Sequence, residues 1–239
     1  MNRYFKKPLL DIASTNEFVF RKNSFFRIRN DVVQGLMMKS KKAGKYTLSE
    51  VFFSIYPLCK PDSLFYQYWF EGRDLSSLKN PKDYWPYAYV TTTKEGLDDS
   101  VRKLMIHVHE VLIPFFDKYY CCSSVIEGLP EMDGYYLNEN EVAFFALKSL
   151  NRDRAVDSIK WGIAQRASAH ERNAGFFSPE QIMKKRAETD DYDRHDLELI
   201  AFINGATNDE LTEYLLQNEE NAKSFLNRTA QGITPTFAL

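Results

Sequence analysis

The sequence predicts an α+β protein: an antiparallel sheet meander of about five strands packed by helices, followed by an all-helical C-terminal region. Three observations lead to this prediction. Short runs rich in β-branched and aromatic residues, separated by turn residues, occupy much of the chain before residue 92. A long stripe of apolar residues at helical spacing follows them. Beyond residue 138 the chain contains few Gly and Pro residues and several signals for the start of a helix.

Five runs are candidates for strands, and the short turns between consecutive runs imply an antiparallel meander rather than strand–helix–strand units. Asn30 and Asp31 separate the first two runs and tolerate the positive φ that a tight hairpin needs. The third run is apolar on both faces, so we expect a central strand that is covered on both sides. In chain order the five runs are Ser24–Arg29, Val32–Lys39, Tyr46–Tyr56, Leu64–Phe70 and Tyr87–Thr92.

Two segments of the first half are predicted to be helical. Apolar positions within the first fifteen residues suit a short opening helix, in which Pro8 lies early or at a kink. From Leu97 to Phe116 the apolar residues recur at i, i+3, i+4 and i+7, which predicts a long amphipathic helix.

The second of these helices contains Ile-His-Val-His-Glu at Ile106–Glu110, a run that suggests a metal site. Residues two apart on a helix point roughly 200° apart. His107 and His109 therefore flank the apolar stripe on opposite sides and cannot bind one ion together. Two helical ligands need i, i+4 spacing, and that motif is absent. We predict no metal site at this position.

Capping residues mark the helix starts of the C-terminal region, in the order Asn138 with Glu141, Asn151, Ser178 with Pro179 and Gln181, and Thr207 with Glu210.

The acidic run Asp190–Asp196 has two interpretations. Carboxylates at this density can hold a divalent cation, but the spacing is not that of an EF-hand, and Asp193 is well placed as the N-cap of a further helix. We favour the helix start.

Length and composition fit one large domain or two small ones. The 239 residues are 44% hydrophobic, which is ample for a packed core, and 15% aromatic, which is high enough to include a recognition surface. A change in character near residues 130–138 predicts an α+β domain with an antiparallel sheet over residues 1–134. A helical C-terminal subdomain is predicted over residues 135–239.

Charge and cysteine content limit the partners and the compartment. The net charge of −2 gives a weak field, which disfavours nucleic acid as a partner. A basic tract, Lys39–Lys45, can touch a phosphate backbone but lies where a solvated hairpin turn is expected. The odd count of three cysteines, two of them adjacent, predicts unbridged and mostly buried thiols. With no signal peptide and no apolar run of membrane-spanning length, we expect a cytoplasmic protein that does not bind membranes.

The familiar catalytic motifs are missing from the sequence. It contains no phosphate-binding glycine loop, no G-x-S-x-G nucleophile motif and no C-x-x-C pair. A Cys–His nucleophilic pair is still possible in space, since there are four histidines. No local motif favours such a pair, so we predict no catalytic residue, no cofactor and no metal ligand.

An aromatic surface is the main candidate for recognition. Trp69 and Trp85, with Tyr68 and Tyr87 beside them, are predicted to line a groove close to the turn-rich segment between Glu71 and Pro86, which is predicted to be a long loop. Tyr and Trp anchor interfaces because they give large contact area at low entropy cost. The alternative is that these side chains only pack in the core.

Three runs of the first half carry a resemblance to a known family. They are F-F-R-I-R-N-D-V-V-Q-G-L-M-M-K at Phe25–Lys39, S-I-Y-P-L-C at Ser54–Cys59 and L-I-P-F-F-D at Leu112–Asp117. Together they resemble the bacterial family catalogued as domain of unknown function 4304, over roughly the first 120 residues. The resemblance implies a bacterial, intracellular α+β domain with an antiparallel sheet, and it brings no established catalytic residues.

If the shared pattern of that family reflects a site, the positions in this chain are Arg27, Asp31, Gln34 and Lys39. Arg27 and Gln34 can approach each other across the hairpin centred on Asn30 and Asp31. The alternative is a buried polar network that fixes the strand register.

Two functions from different classes remain. The first is a non-enzymatic protein- or ligand-binding module, with the helical C-terminal region serving a protein partner. The second is a metal-dependent hydrolase or nuclease without a familiar motif, using Glu50 or the acids of Asp190–Asp196. Glu50 is a candidate because a carboxylate in the predicted central strand needs a partner or an opening to water. The lack of any nucleophile–base signature favours the binding module.

Overall fold

The computed structural model of the chain describes residues 3–21, 24–43, 46–61, 73–74, 89–91, 94–131, 137–173 and 175–229. The chain divides into two compact units. Unit 1 comprises Met1–Tyr136 and Gln217–Leu239, and unit 2 comprises Leu137–Leu216. Whereas the sequence predicted a helical subdomain over 135–239, the last segment groups with unit 1. It groups there because its apolar residues Ala222, Phe225 and Leu226 are buried in the core beneath the sheet.

Unit 1 contains an antiparallel sheet, so the predicted α+β class is confirmed, with six strands among the described residues where about five were predicted. Its order is β1-β2-β3-β4-β5, and β6 also pairs with β4. The predicted strand at Leu64–Phe70 lies outside the described residues. Two short strands, β1 and β5, were not predicted, because two or three residues are too few to show an alternating pattern. The strands are β1 (Val19–Arg21), β2 (Ser24–Arg29), β3 (Val32–Ala43), β4 (Tyr46–Pro57), β5 (Arg73–Asp74) and β6 (Tyr89–Thr91).

The hairpin between β2 and β3 has the predicted two-residue loop. Asn30 takes the left-handed conformation, with φ of 48°, which Asn tolerates better than most residues. The register that follows pairs Arg27 with Gln34 and Phe26 with Gly35. On its other side β3 pairs with β4 over twelve consecutive positions, from Val32 to Ala43. The sheet therefore has one unbroken register at its centre.

Both faces of β4 are covered, as the sequence predicted for a central strand. On one face Phe53 is fully buried, and its ring centroid lies 5.4 Å from that of Phe115 and 6.3 Å from that of Phe116. On the other face lies a buried cluster that joins the sheet to the C-terminal helix: Val19, Phe26, Val33, Leu58, Ala222, Phe225 and Leu226.

The helices of unit 1 are α1 (Arg3–Thr15), α2 (Lys94–His107), α3 (Ile113–Lys118) and α4 (Cys122–Gly128), together with the end of α8 (Asn208–Thr229). The opening helix is confirmed, and Pro8 lies within it. The predicted long helix is interrupted by a π-helical turn at Val108–Leu112, in which the amide of Ile113 donates to the Val108 carbonyl. Pro114 explains the interruption, because it has no amide with which to continue the i→i−4 pattern. His107 is buried and His109 is exposed.

Unit 2 is helical, as predicted. It contains α5 (Glu139–Lys148), α6 (Arg152–Asn173), α7 (Pro179–Gly205) and the first part of α8. The predicted capping boxes at Asn138 and Ser178 are both present. The helix start predicted at Asp193 is wrong, because α7 runs through that position without a break. None of the helices in the described ranges is both long and apolar enough to cross a membrane.

The packing of α8 against the sheet gives the first testable prediction. We expect Leu226→Ala to lower the free energy of unfolding by about 2–5 kcal/mol, because Leu226 is fully buried in the cluster and its loss leaves a cavity. Leu216→Ala on the same helix is the matched control, since Leu216 is 48% exposed, and should change it by less than ~0.5 kcal/mol. Urea unfolding followed by circular dichroism measures both. Equal effects would show that this end of α8 does not cover the sheet.

Candidate functional site

Two of the predicted site residues, Arg27 and Gln34, form the polar centre of unit 1. They face each other across β2 and β3, and Arg27 Nε donates to Gln34 Oε1 at 2.6 Å. Both side chains are buried, with Arg27 only 2% exposed. The approach predicted from the hairpin is therefore present. It follows directly from the two-residue loop, which places positions 27 and 34 opposite each other.

The pair binds two further elements of unit 1. Arg27 donates through Nη2 to Asp117 Oδ1 at 2.7 Å and through Nη1 to the carbonyl of Asn16 at 3.2 Å. Gln34 donates through Nε2 to the carbonyls of Phe116 at 2.5 Å and Tyr119 at 3.1 Å. These carbonyls lie at the end of α3, where helical carbonyls lack partners of their own. The end of α1, the sheet and α3 are thus held by one buried network.

The network contains a buried cation, Arg27, whose charge is partly compensated. Burial lowers the pKa of Arg27, and the hydrogen bond and charge of Asp117 oppose that change. The guanidinium also lies over the ring of Phe18, at 4.8 Å from its centroid, which adds a cation–π contribution. An arginine in this position keeps its proton. With so little exposed surface, Arg27 and Gln34 serve the fold through contacts they already make.

Of the other predicted site residues, Lys39 and Glu50 lie in strands that the structure describes. Lys39 and Glu50 are directly opposite each other in β3 and β4. Because strand positions alternate between faces, the unbroken register places positions 39 and 50 on the face opposite to that of 27 and 34. The register therefore does not place position 50 on the same face as Arg27. The predicted aromatic groove of Tyr68, Trp69, Trp85 and Tyr87 lies outside the described residues.

Sequence reasoning missed a cluster around Asp31, at the tip of the β2–β3 hairpin. Asp31 Oδ1 accepts the amide of Cys122 at 2.8 Å, and its carbonyl accepts the amide of Leu58 at 2.8 Å. Cys59 and Cys122 are fully buried beside it. The resemblance pointed to Asp31, but no local signal in the sequence connects it to a residue ninety positions away.

The acidic run of α7 is engaged by basic partners. Arg166 on α6 contacts Asp193 at 2.7 Å, Glu139 at 3.3 Å, and Asp196. Burial lowers the pKa of Arg166, but the hydrogen bonds that it donates to Asp193 and Asp196 outweigh this effect and raise that pKa above its ordinary value. Among the described residues, no group of three or more His, Cys, Asp and Glu side chains is arranged to hold a metal ion. These acids hold helices together within unit 2.

Unit 2 also carries most of the exposed apolar side chains. Exposure is described for comparable numbers of residues in the two units. Of the large hydrophobic residues that are exposed among them, Tyr120 is in unit 1 and the other eight are in unit 2: Leu150, Trp161, Phe176, Met183, Tyr192, Leu197, Phe202 and Leu216. This difference between the units was not apparent from the sequence, because the helices of unit 2 have ordinary caps and apolar stripes.

The Arg27 network predicts two very different mutational effects. Arg27→Met should lower the free energy of unfolding by about 1–3 kcal/mol, because it leaves the buried Gln34 oxygen without its donor. Asp117→Asn should cost less than ~1 kcal/mol, since Asp117 is 59% exposed and an amide oxygen still accepts from Arg27. Urea unfolding of both variants measures the two changes in the free energy of unfolding. If Arg27→Met were as mild as Asp117→Asn, the network would not hold the fold.

Substitutions at two separate glycines of unit 2, Gly162 and Gly205, test the Arg166 network. A Cβ at Gly162 would collide with the Glu139 side chain, which Arg166 holds in place. We expect Gly162→Ala to destabilise the chain by about 1–2 kcal/mol, although alanine is the better helix former. Gly205→Ala has open space and no left-handed φ, so it should stabilise by about 0.4–1 kcal/mol. Thermal and urea unfolding show whether each substitution stabilises or destabilises the chain. A stabilising Gly162→Ala would contradict the close approach of the Glu139 side chain to Gly162.

No protein-family model, curated protein or solved structure matches the chain significantly. Its function has to be inferred from the contacts, burial and charge described above.

Proposed function

We propose that the chain is a non-enzymatic binding protein whose helical unit 2 docks on a protein partner. One observation carries the proposal, the concentration of exposed large apolar side chains in unit 2. Leaving such side chains in water forgoes about 25 cal/mol for each Å² of apolar surface. A partner that covers them recovers this free energy, which is why exposed apolar surface is typical of interaction sites.

The types of residue exposed in unit 2 support a protein as the partner. Five of the eight are aromatic residues or Met: Trp161, Phe176, Met183, Tyr192 and Phe202. These types are enriched in the cores of protein interfaces. Trp161 is 57% exposed and Phe176 83% exposed, although a Trp or Phe usually contributes to a core.

The contacts of the acidic residues weigh against the alternative, a metal-dependent hydrolase or nuclease. Asp193 and Asp196 are paired with Arg166, and Asp191 is paired with Arg194. A metal would have to displace these cations. Glu50, the other candidate acid, lies on the sheet face opposite to that of Arg27.

The remaining parts of the proposal come from the sequence. The motifs at Phe25–Lys39, Ser54–Cys59 and Leu112–Asp117 support membership of the domain of unknown function 4304 family. The adjacent cysteines support a reducing, cytoplasmic compartment. The aromatic residues Tyr68, Trp69, Trp85 and Tyr87 remain a candidate for a second binding surface.

Site-specific photocrosslinking tests the proposal. A benzophenone amino acid is introduced at Trp161, Phe176 or Met183, and the cells that normally produce the chain are irradiated. We expect each position to give the same heavier adduct, because a docked partner covers the apolar side chains. Lys160 and Lys184, exposed neighbours on the same helices, are matched controls and should give at least several-fold less adduct.

Two results would contradict a partner at this surface. One is equal adduct at apolar and control positions, which indicates random encounter. The other is no adduct at Trp161, Phe176 and Met183 while the irradiated chain is intact and folded.

A further inference from the structure

Unit 1 contains two buried thiols that lie against each other. Cys59 lies two residues beyond the end of β4, and Cys122 is the first residue of α4. Both are fully buried, and the chain carries thiols rather than disulfides at all three of its cysteines. Neither residue belongs to the Arg27 network or to the exposed surface of unit 2.

Asp31 fixes the position of both cysteines. Its carbonyl oxygen accepts the amide of Leu58, the residue before Cys59, at 2.8 Å, and it also accepts the Cys122 thiol at 3.5 Å. Its carboxylate accepts the amide of Cys122 at 2.8 Å. One residue of the hairpin tip therefore ties the end of β4 and the start of α4 to the same point.

The two side chains interact directly. Burial and the neighbouring Cys59 and Asp31 together raise the Cys122 pKa well above its usual range. At rest Cys122 is therefore a protonated thiol. Two buried thiols that different elements of the fold hold beside the same residue are placed for a disulfide.

We propose that Cys59 and Cys122 are a disulfide site, which forms when the folded chain meets a hydroperoxide and reopens with a dithiol. One thiol loses its proton and attacks the peroxide O–O bond, giving a sulfenic acid and releasing an alcohol, or water from hydrogen peroxide. The second thiol attacks that sulfur and releases water. Two thiols and one hydroperoxide thus give one disulfide, one alcohol and one water.

Cys121 is the competing thiol and has a different environment. It is partly exposed, and its sulfur lies 3.2 Å from the Ser123 hydroxyl oxygen. Burial would raise the pKa of Cys121, but hydrogen bonds from Ser123 and Ser124 outweigh it and lower that pKa. Cys121 should therefore react first with alkylating reagents. A disulfide between the adjacent Cys121 and Cys122 requires a strained ring, so it is not the product we expect.

The cross-link has a measurable consequence. It closes a loop from Cys59 to Cys122 that includes β5, β6, α2 and α3. Closing a loop of this length removes conformational freedom from the unfolded chain, so the oxidised protein should melt at a higher temperature than the reduced one. The rate of oxidation should rise with pH, because the reacting thiol must first lose its proton.

The experiment uses the full chain with Cys121→Ser, which removes the competing thiol. The folded protein is treated with hydrogen peroxide, denatured, alkylated with iodoacetamide, digested and analysed by mass spectrometry. We expect a peptide that joins Cys59 to Cys122, two hydrogen atoms lighter than the sum of its reduced parts and reversed by dithiothreitol. The matched variant Cys59→Ser, Cys121→Ser should give none, and the wild-type chain should give the same linked peptide.

Three results would overturn the proposal. The first is uptake of two alkyl groups after oxidation, which shows that the pair stayed reduced. The second is a Cys121–Cys122 linkage as the main product of the wild-type chain. The third is a Cys59–Cys122 peptide that appears only when the chain is oxidised in denaturant.

Discussion

Unit 1 depends on the burial of one positive charge. A guanidinium removed from water is costly unless its N–H donors find acceptors. For Arg27 these acceptors are the side chains of Gln34 and Asp117 and the carbonyl of Asn16. Each partner comes from a different element, so the same requirement fixes the register of β2 and β3, the end of α1 and the position of α3. A slip of one residue in the hairpin would carry the charge to the other face, where the apolar side chains of α8 are packed.

The features that could be predicted from the sequence are those that local chemistry determines. The two-residue loop at Asn30 and Asp31 sets the hairpin, and its symmetry alone places Arg27 opposite Gln34. The caps at Asn138 and Ser178 are likewise local signals with local partners. Asp117 as the ion partner of Arg27 could not be predicted, because it lies ninety residues away and its choice depends on how α3 packs. The same limit applies to the contact between Cys59 and Cys122.

The features that were predicted wrongly or missed also have physical causes. Asp193 has the chemistry of an N-cap, but within α7 its carboxylate is satisfied by Arg166 from α6, so the helix has no need to begin there. The π-helical turn depends on Pro114 acting on a helix that is otherwise strongly amphipathic. The exposure of Trp161 and Phe176 is invisible to helical periodicity, which reports the buried stripe and says little about the opposite face. In the described part of the sheet, Arg27 and Gln34 are buried, whereas most of the exposed large apolar side chains that the structure describes lie in unit 2.

The division of α8 between the units has a consequence for how the protein can be dissected. Unit 1 is discontinuous in sequence, since one face of its sheet is covered by residues that follow unit 2 in the chain. A fragment that stops at residue 136 would leave Val19, Phe26 and Val33 without the apolar side chains of α8 that cover them. A β-sheet with an uncovered apolar face is prone to association. Unit 1 is therefore not an independently expressible N-terminal domain; to stay monomeric, such a fragment needs the C-terminal helix supplied as a separate peptide or fused by a linker.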